Sequence, residues 1–460
     1  MHPMITAISN GRRMRLAAAT AALAAISLSA CSVEKVLDVT DPDIINPSDV
    51  STPQGVESVR LGTIARLNQA TTGAESFFLL SGLLSDEWRS GDSYLDRDET
   101  DQRNVTARNS FLLDATRNVY RARLSAKQTI DLLRQFSPDA PSWQAAEMYF
   151  VEAYMENMVA ENFCSGMPFS TVEDGTPVFG GPMTTQETLT MALAHADSGL
   201  ALISGSSTDD NRVKYALQVT RGRILLNLDR AADAADAVAG VPTDFAYQME
   251  QSQTTMSNTI WDFNNNVRRY TVSAGEGGVG IDFATAGDPR VPVCAGGSAE
   301  CVAAGVAQST VFENGSAMPL YVQLLWPTAD ASVTIVSGDE ARLIEAEAAL
   351  QVPDPTAALT TLNDLRATVP GLAALGDAGT PEARVDQLFH ERAFWLFSRG
   401  HRLGDMRRLV RQYDRAPNTV FPNGDFLDGG SYGSDMNFPV PEAEKNNPND
   451  TAGACIDRNA

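Results

Sequence analysis

Residues 212–239 read RVKYALQVTRGRILL, then NLD, then RAADAADAVA, and this stretch decides the architecture. Arg212 to Leu226 and Arg230 to Ala239 carry helical patterns, and Asn227-Leu228-Asp229 is the turn between them. Alanines at the crossing positions let two helices approach closely, which is how stacked helix pairs build a continuous core. Outward from this pair the arrangement recurs. Gln186 to Ile203 precedes it as its upstream partner. Earlier still, Tyr120 to Phe136, with Leu124, Ile130, Leu132 and Leu133, is followed by the Ala/Met/aromatic-rich stretch Ser142 to Phe163, and these two are expected to pair. Gly166 and Pro168 stop the second of them. Val56, Val59 and Ile64 lie near one face after Ser51-Thr52-Pro53, and Phe77 to Leu84 is another apolar run. Downstream, Val241 to Val336 has Gly runs and the alternating stretch Tyr321 to Trp326, which reads as loops and short strands. Helices resume at Gly338 to Leu350, Asp354 caps the next one with Pro355 in its first turn, and Pro381 to Ser398 is expected to be the last. From Ala416 onward the chain is Gly/Asn/Pro-rich and expected to be irregular.

The chain has 460 residues with 58 acidic against 35 basic side chains, a formal charge of −23 that argues against nucleic-acid binding. Hydrophobic residues at 43% and charged ones at 20% are ordinary globular usage, so a core can form. Residues 1–30 differ from the rest: Arg12, Arg13 and Arg15 precede an uncharged apolar run from Leu16 to Leu28, which reads as a secretory signal peptide. It ends in Leu28-Ser29-Ala30-Cys31, a lipobox pattern that makes Cys31 the expected lipid-attachment site and mature N-terminus. The alternative is an ordinary cleavage near Ala30 with Cys31 a structural thiol. Ser32 stands where aspartate would suggest inner-membrane retention, so outer-membrane delivery is expected. Multiple acyl chains suffice for stable anchoring. Residues 31–52 are turn-rich and read as a tether.

Four cysteines remain, Cys164, Cys294, Cys301 and Cys455, an even number that suggests disulfides in an exported protein. Three pairings are possible; Cys294 and Cys301 flank a short loop and form the natural local pair, which leaves Cys164 for Cys455. With no CxxC pair and four histidines, no zinc site or other cofactor is expected.

Further motifs are distributed along the chain. The leader runs into Leu37-Asp38-Val39, and Glu340 to Ala348 looks like an "AD-x-L-L-x-x-AEA" helix. Leu362-Asn363-Asp364-Leu365-Arg366 is similar to an "N-x-x-R" segment. Glu391-Arg392-Ala393-Phe394-Trp395, Gly400-His401-Arg402 and Asp405-Met406-Arg407-Arg408 look like "ER-x-x-E-x-x-x-EG-x-R-x-x-D-L-R-R", and Phe438 to Asn449 like "P-I-P-x-x-E-x-x-x-N-P-N". In this order the motifs resemble the SusD/RagB family of outer-membrane nutrient-binding lipoproteins. Phe394, Phe397 and Ser398 depart from the pattern, and the middle third matches poorly. The resemblance implies a mainly α, SusD-like fold of tetratricopeptide-like helix pairs, with an N-terminal helical part at 53–240, a variable loop-rich part at 241–336 with a few short strands, and a C-terminal part at 337–460. It also implies a non-enzymatic protein at the cell surface that docks on a TonB-dependent (SusC-like) outer-membrane transporter and captures an oligosaccharide or peptide.

A sugar site needs aromatic planes for C–H faces and polar groups for hydroxyls. Two stretches offer both: Asp86 to Tyr94, with Trp88 and Tyr94, and Trp261 to Asn266 followed by Arg268, Arg269 and Tyr270. Trp88, Tyr94, Trp261 and Tyr270 are therefore the candidate ligand residues; the other reading of Trp88 and Trp261 is that they anchor loops to the body. Trp143 and Trp395 are read as core, and Trp326 as open. Asp92, Asp96, Asp98, Glu99 and Asp101 lack EF-hand spacing and read as a solvated acidic loop. Glu391, Arg392, Arg402, Asp405 and Arg407 suit paired structural charges, and His390 and His401 structural roles. Two other classes stay open: a helical-repeat docking scaffold, and a glycoside hydrolase, for which no carboxylate pair stands out.

Overall fold

The computed structural model describes residues 50–459 apart from 174, 307, 316–317, 352–353 and 428; the leader, Cys31 and most of the tether lie outside the described residues. The chain divides into two compact units, residues 1–55 and 56–460, and the second holds the helical body. After α1 (Pro53–Thr72) and α2 (Phe77–Leu84), a short α3 (Leu95–Asp101) leads into α4 (Ser110–Phe136) and α5 (Ser142–Asn162). Then come α6 (Thr185–Leu202), α7 (Thr208–Asn227) and α8 (Ala231–Val238). The last group is α9 (Gly338–Gln351), α10 (Pro355–Ala367), α11 (Pro381–Trp395) and α12 (Arg402–Arg411). The body is mainly α, and α4–α5, α5–α6, α6–α7, α7–α8, α8–α9 and α9–α10 pack on one another in succession.

The α7–α8 pair is as close as its small residues suggest. A Cβ on Gly222 would lie 2.6 Å from Val238 Cγ1, so glycine is required where α7 meets α8. Helix starts are fixed locally: Thr184 and Ser207 each form a capping box with Glu187 and Asp210, and the Asp354 side chain accepts from Ala357 N at 3.0 Å. Two boundaries differ from the sequence reading. α4 begins ten residues before Tyr120, capped by Asn109, because its first turns bury Leu112, Ala115 and Thr116 on a core the local pattern does not reveal. Pro381–Trp395 is not the last helix: α12 follows it, and it is Arg-rich yet buried from Arg402 to Leu409 because Arg402, Arg407 and Arg408 each meet a partner supplied by a distant segment.

The loop-rich middle is held by three short antiparallel ladders. β1 (Trp88–Ser90) pairs with β3 (Tyr270–Val272), β2 (Ala246–Met249) with β6 (Val333–Ser337), and β4 (Val293–Ala295) with β5 (Tyr321–Gln323). Cys294 and Cys301 are disulfide-bonded within a small cluster of their own, with Val306, Phe312, Leu320 and Val322. Cys164 is bonded to Cys455, which ties the end of α5 to the C-terminal tail. Trp326 is buried, whereas Trp143 and Trp395 sit half-buried at the edge of the core. No helix among the described residues is long and apolar enough to cross a membrane.

Candidate functional site

The two aromatic stretches, far apart in sequence, meet in one ladder, with Trp88 opposite Val272 and Ser90 opposite Tyr270. What fixes this ladder is a set of buried charges behind it. Arg402 forks onto Asp86 at 2.6 and 2.7 Å, and Glu87 accepts from Ser398 N at 2.7 Å. The indole N–H of Trp88 donates to Ser398 Oγ at 2.9 Å, and its ring lies 5.2 Å from that of Phe397. Trp88 and Tyr270 are each 1% exposed, so both are corrected from ligand residues to core. The physical reason is that all three residues of β1 and of β3 are buried, leaving neither strand an outer face.

Tyr94 is the residue of the four that faces water, at 52% exposure. Its ring packs edge-on against Phe111 at 5.6 Å, and the Arg269 guanidinium lies 5.6 Å from its centroid. Arg269 is itself held by Glu313 at 2.8 and 3.1 Å, a pairing that keeps Glu313 below the usual carboxylate range. Beneath Tyr94, Arg97 lies 3.8 Å from the Phe111 centroid and 4.7 Å from that of Phe263, and it pairs with Asp92 and Glu75. Trp261 is half-buried on a short helix, its backbone N–H capped by Asn258, two residues before Phe263. The result is an exposed phenol on a rigid base, bordered by a forked cation and a carboxylate. Such a rim can stack one sugar face and bond vicinal hydroxyls. Phe111, Phe263 and Glu313 were not singled out from the sequence, because Phe111 reads as one apolar residue of a helix and Glu313 lies in a featureless loop.

The acidic stretch is corrected too: it is not a solvated loop. Asp92 and Asp101 are buried, and most of α3 lies between them. Asp101 accepts from Ser90 N at 2.9 Å, Asp98 from Ser90 Oγ at 2.6 Å, and Asp96 from Ser110 N at 2.7 Å. Burial and the neighbouring Glu276 push the Asp101 carboxyl well above its ordinary value, against the pull of Arg89. These acids are committed to the fold. Elsewhere Glu152 and Glu156 on α5 and His195 on α6 bring ligand-type atoms within 4.8 Å of one another. Glu156 is already taken by Arg123 at 2.7 Å and His195 Nδ1 at 2.7 Å, so that trio is a charge-balanced network.

The C-terminal motif residues hold helices together. Arg392 forks onto Asp405 at 2.7 and 2.9 Å, Glu391 meets Arg290 and Arg366 at 2.6 Å each, and Arg407 donates to the carbonyls of Ala160 and Glu161. His401 meets Glu340 at 3.0 Å, while His390 is exposed with its ring 4.9 Å from that of Phe394. Burial lifts Glu87 to about 8. The folded chain therefore keeps a proton that the unfolded chain releases near an ordinary glutamate value, so stability falls as pH rises from about 4.3 to about 8. Glu87→Gln is expected to flatten that part of the melting-temperature profile, and an unchanged slope would refute the assignment.

No family model and no curated protein matches the sequence. Solved structures do match in fold. A SusD superfamily protein from Bacteroides vulgatus is 14% identical, with a TM-score of 0.59 over 88% of this chain and 98% of its own. A SusD-like carbohydrate binding protein from Bacteroides fragilis is 12% identical, with 0.62 over 88% and 99%, and a SusD superfamily protein from Parabacteroides distasonis is 14% identical, with 0.63 over 86% and 98%. The chain thus has the SusD-like fold along nearly its whole described length.

Proposed function

We propose that this is a member of the SusD/RagB family, a non-catalytic cell-surface lipoprotein that captures an oligosaccharide at the Tyr94 rim and passes it to a TonB-dependent outer-membrane transporter. The observation that carries the reading is an exposed aromatic ring, braced from below by Arg97 and Phe111 and bordered by Arg269 and Glu313, on a SusD-like body. Two structures of this fold are named carbohydrate binding proteins, which supports a glycan over a peptide. Stacking on such a ring contributes about 1 kcal/mol beyond the area it covers. Tyr94→Ala is therefore expected to weaken binding in an oligosaccharide screen by roughly fivefold to tenfold. Its melting temperature should barely move, since the ring is half in water. Binding unchanged by this substitution would place the ligand elsewhere, and saturable binding of no glycan or peptide would favour the docking scaffold.

The anchor is part of the same proposal: Cys31, in the lipobox, carries the lipid that holds the acidic body at the outer membrane. Cys31→Ala should move the protein from the membrane fraction to the soluble one. Retention in the membrane would refute the anchor.

A further inference from the structure

The start of α9 lies against the loop that precedes β2, and a cavity of about 400 Å³ opens there. Its walls include Thr243, Phe245, Thr334, Asp339 and Arg399. A third charged residue, Asp244, also lines it but is exposed to solvent. The Asp339 and Arg399 side chains have no hydrogen bond or ion pair among the described residues, and Arg399 Nε is also sealed from water. Burial lowers the Arg399 guanidinium and raises the Asp339 carboxyl from their ordinary values, so each is penalised for its charge. The neighbouring arginines are treated differently: Arg392 and Arg402 both fork onto carboxylates.

Nor can the two walls simply close on each other. The turn bearing Arg399 is pinned on either side, by Ser398 N on Glu87 at 2.7 Å and by Arg223 on Gly400 O at 2.7 Å. Asp339 begins a helix whose Gly338 N–H donates to Phe245 O at 2.8 Å, and a Cβ on Gly338 would come 2.1 Å from Pro242 O. The Phe245 ring is braced edge-on by Tyr215 at 5.4 Å. The cavity is therefore preformed, with one cation, a half-buried and an exposed carboxylate, several hydroxyls and one aromatic wall.

We propose that this cavity binds a small zwitterion of the α-amino acid class, with its carboxylate on Arg399, its ammonium on Asp339 and its side chain against Phe245. Arg399 and Asp339 attract each other across the cavity without a hydrogen bond, so a ligand of one sign would engage one wall charge and be repelled by the other. A zwitterion satisfies both, and cavities of this order hold small molecules. The site is built from different elements than the Tyr94 rim and does not depend on the carbohydrate reading.

The test is calorimetric titration of the full chain with the twenty L-amino acids, with the N-acetyl and methyl ester forms of the best binder, and with glucuronate, a carboxylate that lacks the ammonium. At least one amino acid should bind saturably, and each blocked form should bind at least tenfold more weakly. Arg399→Met and Asp339→Asn should each cost at least tenfold, while Tyr94→Ala costs nothing. Ligand-free Arg399→Met should melt no lower than the parent chain, since it loses no hydrogen bond and removes a charge that burial penalises more than its neighbours favour it. The proposal is overturned if no amino acid binds, if blocked forms bind as well as free ones, if glucuronate binds as tightly, or if either variant binds undiminished. The blocked ligands decide the matter without any variant.

Discussion

Asp405→Asn is expected to destabilise the fold by about 3–5 kcal/mol, the usual cost of removing one partner from a buried charge network. Asp405 is buried and is forked by Arg392, while Arg408 reaches it at 2.8 Å and also meets Glu347 on α9. One carboxylate therefore joins α11 to α12, and through Arg408 to α9. Burial works against its charge, yet Arg392 and Arg408 hold the carboxyl well below the usual range. With the folded value depressed, its contribution is complete above about pH 4 and is lost only as pH falls toward that value. The amide keeps the shape and removes the charge, leaving two buried guanidiniums short of a counter-charge. Urea unfolding at pH 7 measures the loss. A cost under about 1 kcal/mol would mean that water or Glu347 compensates, and the network would not be what locks these helices. The double variant Arg392→Met/Asp405→Leu should cost less than the sum of its singles, because it removes a charge together with its partner.

The second large effect belongs to the Cys164–Cys455 disulfide. Replacing both cysteines by serine is expected to cost about 2–5 kcal/mol, since the bond closes a loop across 291 residues of the unfolded chain. The Cys294–Cys301 bond spans a separation of 7, so in the chain-entropy picture its removal costs about 3 kcal/mol less. The long bond also guards a local assembly: Cys164 N donates to Phe438 O at 3.0 Å, and Ser165 N to Asp457 O at 3.1 Å. Its loss should fray the C-terminal tail before the helices melt, visible as early hydrogen exchange at these amides. Equal melting temperatures for the two double-serine variants would contradict the ranking.

Helix pairs were legible in the sequence because their signals are short-range. The alanines at the α7–α8 crossing, the Asp354-Pro355 start and the Gly166/Pro168 stop each act within a few residues. α12 was not legible. Residues 402–411, RLGDMRRLVR, suit paired structural charges but show no helix by themselves, and 402–409 are buried because Asp86, Glu347 and the carbonyls of Ala160 and Glu161, all far away in sequence, receive the arginines. The acidic stretch from Asp92 to Asp101 failed for a different reason: its partners, Ser90, Arg97 and Ser110, are near in sequence, but they meet it only when β1, α3 and α4 are in place.

By itself the sequence determined the helical class, the loop-rich middle, and the two stretches whose aromatics would meet, because periodicity, turn residues and composition are properties of neighbours along the chain. Tertiary structure alone decided which of those rings touches water. Trp88 and Tyr270 face inward because β1 pairs with a strand from far along the chain and the ladder is buried on both faces, while Tyr94, past its end, is left outside. It alone decided, too, that Arg399 and Asp339 share a cavity without a hydrogen-bonded partner, since exposure and pairing of a side chain are set by atoms that arrive from elsewhere in the fold.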